Sequence, residues 1–83
     1  MVMNERLQVR DFVGRLLRGK DDTAGFTDSE SLFVSGRLDS LAAVEVVAFL
    51  EETFRVDFSD TDFEIDRIDS IDAIASLIEE VSA

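Results

Sequence analysis

Residues 38–50, Leu38-Asp39-Ser40-Leu41-Ala42-Ala43-Val44-Glu45-Val46-Val47-Ala48-Phe49-Leu50, decide the fold. From Leu41 to Leu50 the one polar side chain is Glu45. Strand-like alternation is absent, so the run reads as a helix, from about Ser40 to Thr53. A helix apolar nearly all round is expected to be central and buried on most sides. Val46, Leu50 and Phe54 form one i, i+4 row, with Ala43 and Val47 beside it. Val44 and Ala48 lie nearer Glu45 and are expected at the surface. Glu45 and Glu52 share a face, with Glu51 toward its edge.

Upstream of this helix, Lys20 to Ser31 is loop in composition, and Leu32, Phe33 and Val34 are expected to tuck that loop onto the core. Gly36 allows a turn before the second helix. Further back, Val9, Phe12, Val13, Leu16 and Leu17 recur at helical spacing, giving a first helix from about Asn4 to Arg18, ended by Gly19. Downstream, Phe63, Ile65 and Ile68 suggest a short third helix. A last helix starts at Asp69 or Ser70, either of which can cap it, and buries Ile71, Ile74, Ala75, Ile78 and Val81. The chain has no proline and four glycines. The expected fold is all-α: a small antiparallel four-helix bundle with a short third helix and a long loop between helices one and two. Its 83 residues are expected to form one domain, residues 1–83.

Composition narrows the chemistry. There is no Cys, His, Tyr or Trp, which removes disulfides, thiol nucleophiles, the commonest general base and the commonest metal ligand. An enzyme built without these is not expected at this size, and a hydrolase using Ser40 would have no candidate base. Net charge is −11, unevenly spread. Residues 1–20 carry five basic side chains against two acidic, a net of +3, and residues 21–83 carry three against seventeen, a net of −14. Nucleic acid and anionic membrane are therefore poor partners. Either a basic protein surface is the complement of this charge or the acidity serves solubility alone. The N-terminal residues do not read as a secretory signal, and no run approaches the ~20 apolar residues of a membrane span. A cytoplasmic, monomeric protein is expected. The acidic run Asp57, Asp60, Asp62, Glu64, Asp66, Asp69, Asp72 fails as a calcium loop in both registers, because the required glycine and glutamate are absent. No metal site is expected.

The hydroxyl of Ser40 sits where a glycine-containing loop enters the longest apolar helix. Such a group is accessible, held on a rigid element and flanked by Asp39, which a partner enzyme could read. Serine is also an ordinary helix N-cap, and the chain holds a second such pair in Asp69-Ser70-Ile71. Context separates the two. Ser70 is expected to be a cap, because position 66, equivalent to Gly36, is an aspartate.

The stretch Leu32 to Phe54 resembles the core of an acyl carrier protein. It carries Gly36-x-x-Asp39-Ser40-Leu41, then Val44-Glu45 at the fourth and fifth positions after the serine, and closes with Leu50-Glu51-Glu52-x-Phe54. Length, acidity, helix pattern and the isoleucine-rich last helix extend the likeness over nearly the whole chain. The resemblance implies that a phosphopantetheinyl transferase moves 4′-phosphopantetheine from coenzyme A onto Ser40, and that the arm's thiol carries an acyl or aminoacyl thioester. A chain without cysteine would thus borrow its sulfur from the prosthetic group. By the same resemblance, Asp39 and Leu41 help the transferase recognise the site. Glu45, Glu51 and Glu52 would meet basic patches on the loading ligase and on downstream acyl-transfer enzymes, though these glutamates also read as a solvated helix face.

Several positions depart from the carriers of fatty acid synthesis. Arg37 and Leu38 replace small residues, Ala42 replaces a commonly polar one, and Phe49 is bulky where a small residue is usual. The Leu32-Phe33-x-x-Gly36-x-Leu38-Asp39-Ser40 pattern is closer to D-alanyl carrier proteins and other specialised stand-alone carriers. The competing expectation is an acidic helical interaction module without a prosthetic group, which mass alone distinguishes. The seven phenylalanines are core and loop anchors, or some of them line a space for cargo.

Overall fold

The computed structural model describes residues 4–56 and 64–82. Over these residues the fold is all-α, with helices α1 (Glu5–Gly19), α2 (Ser40–Phe54) and α3 (Ile71–Ser82). A single 3-10 turn, Ile65–Ile68, precedes α3. The expected third helix is thus one 3-10 turn within the described residues, and its first anchor, Phe63, lies outside them. Among the described residues there is no strand.

Helix α1 starts one residue later than expected because Asn4 is its cap. The Asn4 side chain stands in extended backbone and accepts the Leu7 amide at 2.9 Å. Gly19 is the last helical residue rather than the stop. The reversal falls at Lys20 and Asp21, whose amides reach back to Leu17 and Arg18 carbonyls, with Asp21 at φ +61°. Helix α2 runs one residue past expectation, to Phe54. Arg55 ends it in the left-handed region, and the Val56 amide reaches the Leu50 carbonyl.

The core draws on every element. Val9, Val13 and Leu17 come from α1, Val46 and Leu50 with Ala42 and Ala43 from α2, and Ile71, Ile74, Leu77 and Ile78 from α3. Val56 and Ile68 complete it beside Leu32 and Leu38 from the connection between α1 and α2. Phe12, Phe26, Phe33, Phe49 and Phe54 pack against its edge, with Phe12 and Phe49 stacked at 4.2 Å between centroids. Val81, expected in the last stripe, and Phe58 lie outside the described side chains.

Two expectations about burial are corrected. Helix α2 is not buried on most sides: Val44 and Ala48 are exposed as expected, and Leu41, 69 % exposed, is at the surface as well. Two other helices and one 3-10 turn are too few to surround it, so a domain this small leaves one face of even its most apolar helix in water. Val34 was expected to tuck inward with Leu32 and Phe33, but it is exposed, because the turn that buries Leu32 completely points Val34 away.

Packing places the site. Helix α1 lies against α3 and α2, and the 3-10 turn bridges α3 and α2. The 20-residue connection between α1 and α2, residues 20–39, is fastened to α3's entry and delivers Ser40 at its far end.

Candidate functional site

The two Asp-Ser pairs have been given different work. At the head of α2 the cap is Asp39, not Ser40: Asp39 Oδ1 accepts the Ala42 amide at 3.0 Å. Its other oxygen accepts from Lys20 Nζ at 2.7 Å. Lys20 first, and the Ala42 amide second, hold the Asp39 carboxyl below its ordinary range. Ser40 is the first helical residue and is exposed. Its hydroxyl has no hydrogen-bond partner among the described residues. At the head of α3 the cap is Ser70, whose Oγ accepts the Ala73 amide at 3.0 Å. Asp69 does not cap. Its side chain turns instead to the long connection.

That connection is pinned at several points, two of which frame the turn into α2. Asp69 Oδ1 accepts the Phe33 and Val34 amides at 2.7 and 3.0 Å, Asp69 Oδ2 accepts the Ser31 hydroxyl at 2.6 Å, and the Leu32 amide donates to the Asp69 carbonyl at 2.7 Å. Burial alone would raise the Asp69 pKa, but the Ser31 hydroxyl and the backbone amides of Val34, Phe33 and Leu32 outweigh it and hold it low. The second pin is Arg37, whose side chain is 18 % exposed. Its guanidinium forks onto Asp22 at 3.0 and 3.1 Å, reaches Glu30 at 2.6 Å, and also bonds the Ala24 and Gly25 carbonyls. Arg37 lowers the carboxyl pKa of both Asp22 and Glu30, and planar, multiply bonded guanidinium contacts of this kind fix geometry as well as charge.

Between the pins the chain turns into α2. Gly36 takes φ +89°, which a side chain would oppose. Leu38, 1 % exposed, bonds the Leu32 carbonyl through its amide at 2.8 Å. The result is an open groove of about 360 Å³ at Ser40, lined also by Phe33, Val34, Gly36, Leu38, Asp39 and Ile65.

On the outer face of α2, Leu41, Val44, Glu45, Ala48, Glu51 and Glu52 are all exposed. This spacing makes one continuous stripe, apolar next to Ser40 and acidic toward the helix C-terminus. Among the described residues Glu45, Glu51 and Glu52 make no ion pair, unlike Asp22, Asp28 and Glu30, which arginines engage.

Compared with protein families, residues 8–78 match the model described as phosphopantetheine attachment site. The chain belongs to that family. A phosphopantetheine attachment domain is the site of covalent 4′-phosphopantetheine attachment, so the prosthetic group implied by the resemblance to acyl carrier proteins is this family's own. No curated protein and no solved structure matched the chain in the other two comparisons.

Of the residues singled out in the sequence, Asp39 and Ser40 line the groove and Leu41 follows them at the head of α2. Glu45, Glu51 and Glu52 follow along one face. The sequence reading missed Lys20, Arg37 and Asp69. Arg37 was visible as a departure from the family pattern, but its partners lie 7 and 15 residues away in sequence. Asp57, Asp60 and Asp62 of the acidic run lie outside the described residues.

Proposed function

We propose that Ser40 carries 4′-phosphopantetheine, and that the domain is a non-catalytic carrier presenting an acyl or aminoacyl thioester to successive enzymes. One observation carries the assignment to this serine. Of the two Asp-Ser pairs at helix starts, Ser40 has a free, exposed hydroxyl while Ser70 is engaged as a cap. The groove beside Ser40 fits the group too: its largely apolar lining and open shape leave room for a flexible arm. When bound, the arm supplies the thiol that the chain lacks.

In this reading Asp39 and Leu41 mark the site for a phosphopantetheinyl transferase. The Glu45, Glu51 and Glu52 stripe meets basic surfaces on the loading ligase and downstream acyl-transfer enzymes. Charge there speeds encounter and sets specificity more than it deepens affinity. The departures at Arg37, Leu38, Ala42 and Phe49 favour a specialised stand-alone carrier, of the D-alanyl type or similar, over a housekeeping carrier of fatty acid synthesis. With the 3-10 turn counted as the short third helix, residues 1–83 are read as one monomeric, antiparallel four-helix domain working in the cytoplasm.

Intact mass after incubation with coenzyme A, magnesium and a broad-specificity phosphopantetheinyl transferase tests the proposal. One added phosphopantetheine is expected on wild type and Ser70→Ala and none on Ser40→Ala. A folded wild type that gains nothing from any transferase supports the acidic interaction module instead.

A further inference from the structure

We propose that Lys20 is the counter-charge of the phosphodiester formed at Ser40. The inference rests on the attachment reading above. Attachment replaces a neutral hydroxyl with a phosphodiester anion, immediately next to the Asp39 carboxylate. Residues 21–83 already carry a net −14, so the new charge enters a strongly negative neighbourhood, in which like charges on adjacent side chains repel.

Few cations are placed to offset it. Residues 21–83 contain only Arg37, Arg55 and Arg67. Arg37 is committed to Asp22, Glu30 and two carbonyls. Arg67 pairs with Glu80, and Arg55 stands at the opposite end of α2 from Ser40. On α1, Arg15 pairs with Asp11 at 3.2 Å. Lys20 alone among these is in contact with the segment that bears Ser40, through Asp39 at 2.7 Å.

Its chemistry suits two anions at once. An ammonium has three donors, of which the Asp39 contact takes one, and it sits on a flexible four-carbon stem. The side chain is 39 % exposed, so it is free to pivot between Asp39 and a neighbouring phosphate oxygen. In the unmodified protein Lys20 steadies the cap. In the modified protein it is shared between the cap and the prosthetic group, and the carrier tolerates modification without loosening the head of α2.

The test compares unmodified and modified forms, separated by intact mass, of wild type, Lys20→Met, Lys20→Arg and Arg15→Met. The readout is the change in Tm on modification, at low salt and at roughly 1 M salt, where the screening length is only about 3 Å. Because each variant is compared with itself, any general destabilisation by the substitution cancels. Wild type, Lys20→Arg and Arg15→Met are expected to change by no more than about 1 °C. Modified Lys20→Met is expected to melt roughly 3–5 °C below its unmodified form at low salt, and high salt should close the gap. In wild type, modification should also displace the Lys20 Cε–Hε NMR signals and leave those of Arg15 Cδ–Hδ in place, a measurement independent of whether Lys20→Met folds. A modified Lys20→Met that behaves like wild type, or unmoved Lys20 signals, overturns the inference and leaves attachment standing. A wild type that gains no phosphopantetheine overturns the attachment reading and this inference together.

Discussion

The Asp39 carboxylate accepts the Ala42 amide at 3.0 Å, and that single bond is why Ser40, one residue later, keeps a free hydroxyl. A helix N-terminus has orphan amides that some side chain must satisfy. Here the acid does so, whereas at α3 the serine does, with Ser70 Oγ on the Ala73 amide. Alanine at the two serines should therefore have unequal effects. Ser70→Ala is expected to cost about 1 kcal/mol, the usual worth of a cap, and Ser40→Ala to stay within about 0.5 kcal/mol of wild type. Asp39→Ala should lower Tm by roughly 5 °C, while Asp39→Asn, which still caps, should lose much less. Thermal unfolding followed by circular dichroism checks all four.

What the sequence made legible was whatever depends on local period and local composition. The three α-helices, the buried row Val46–Leu50 and the surface position of Val44 follow from spacing of 3.6 residues, which needs no knowledge of the rest of the chain. The Ser40 motif was legible for the same reason, being contiguous. Two kinds of feature were not. Burial of α2 was overestimated at Leu41 because hydrophobicity says a face prefers to be covered, not that a domain of this size has an element left to cover it. The pins of the long connection were invisible because Asp69 reaches Ser31 across 38 positions and Arg37 reaches Asp22 across 15. Nothing in a charged residue's own neighbourhood announces a partner that distant. Local rules allow either Asp69 or Ser70 to cap α3, and Ser70, the expected cap, is the one that does.

The buried wall of the groove contrasts with the outer face of α2. Leu38 is 1 % exposed and Leu41 is 69 % exposed, although both flank the Asp39-Ser40 pair. Leu38→Ala empties a packed site and is expected to cost about 2–5 kcal/mol, most of the stability a domain this small commands. Leu41→Ala removes an apolar group from water and improves helix propensity, so it should change stability by less than about 0.5 kcal/mol. Urea titration separates the two. On the proposed function, Leu41→Ala should nonetheless slow modification by the transferase, a loss that cannot then be attributed to unfolding.

Asp69 gives the fold a defined response to acid. Its carboxyl titrates below the usual value near 3.8, because Ser31 and the loop amides favour its charged form more strongly than burial opposes it. Between that lowered pKa and the usual one, the unfolded chain binds the proton and the folded chain does not, so stability rises with pH across the interval. The contribution is therefore fully present above about pH 4 and is lost as pH falls through the folded value. Asp22, Asp28, Glu30 and Asp39 are shifted in the same direction, and wild type should lose stability steadily below about pH 4. In Asp69→Asn the group no longer titrates. Its deficit relative to wild type, measured by urea unfolding, should be constant from pH 7 to 5 and shrink below pH 4.

Asp21, Gly36 and Arg55 hold left-handed backbone among the described residues, and the last two should respond to substitution with opposite signs. Gly36 sits at φ +89°, with nothing within 4 Å of where a Cβ would stand. Gly36→Ala is therefore opposed by backbone conformation alone, and a cost of about 1–2 kcal/mol is expected. Arg55 closes α2 at φ +59°, where glycine is the usual residue because it lacks the Cβ that this conformation crowds. Arg55→Gly should stabilise by up to about 1 kcal/mol, since relief of that crowding outweighs the extra freedom glycine gives the unfolded chain. The pair also separates stability from site geometry. Gly36 lies on the groove beside Ser40 and Arg55 at the far end of the helix, so the double variant should recover part of the lost stability. If Gly36 serves only to fold the chain, modification at Ser40 should recover with it. If the turn sets the approach to Ser40, as its place on the groove indicates, modification should remain slow in the double variant, and kinetics beside melting curves will read the difference.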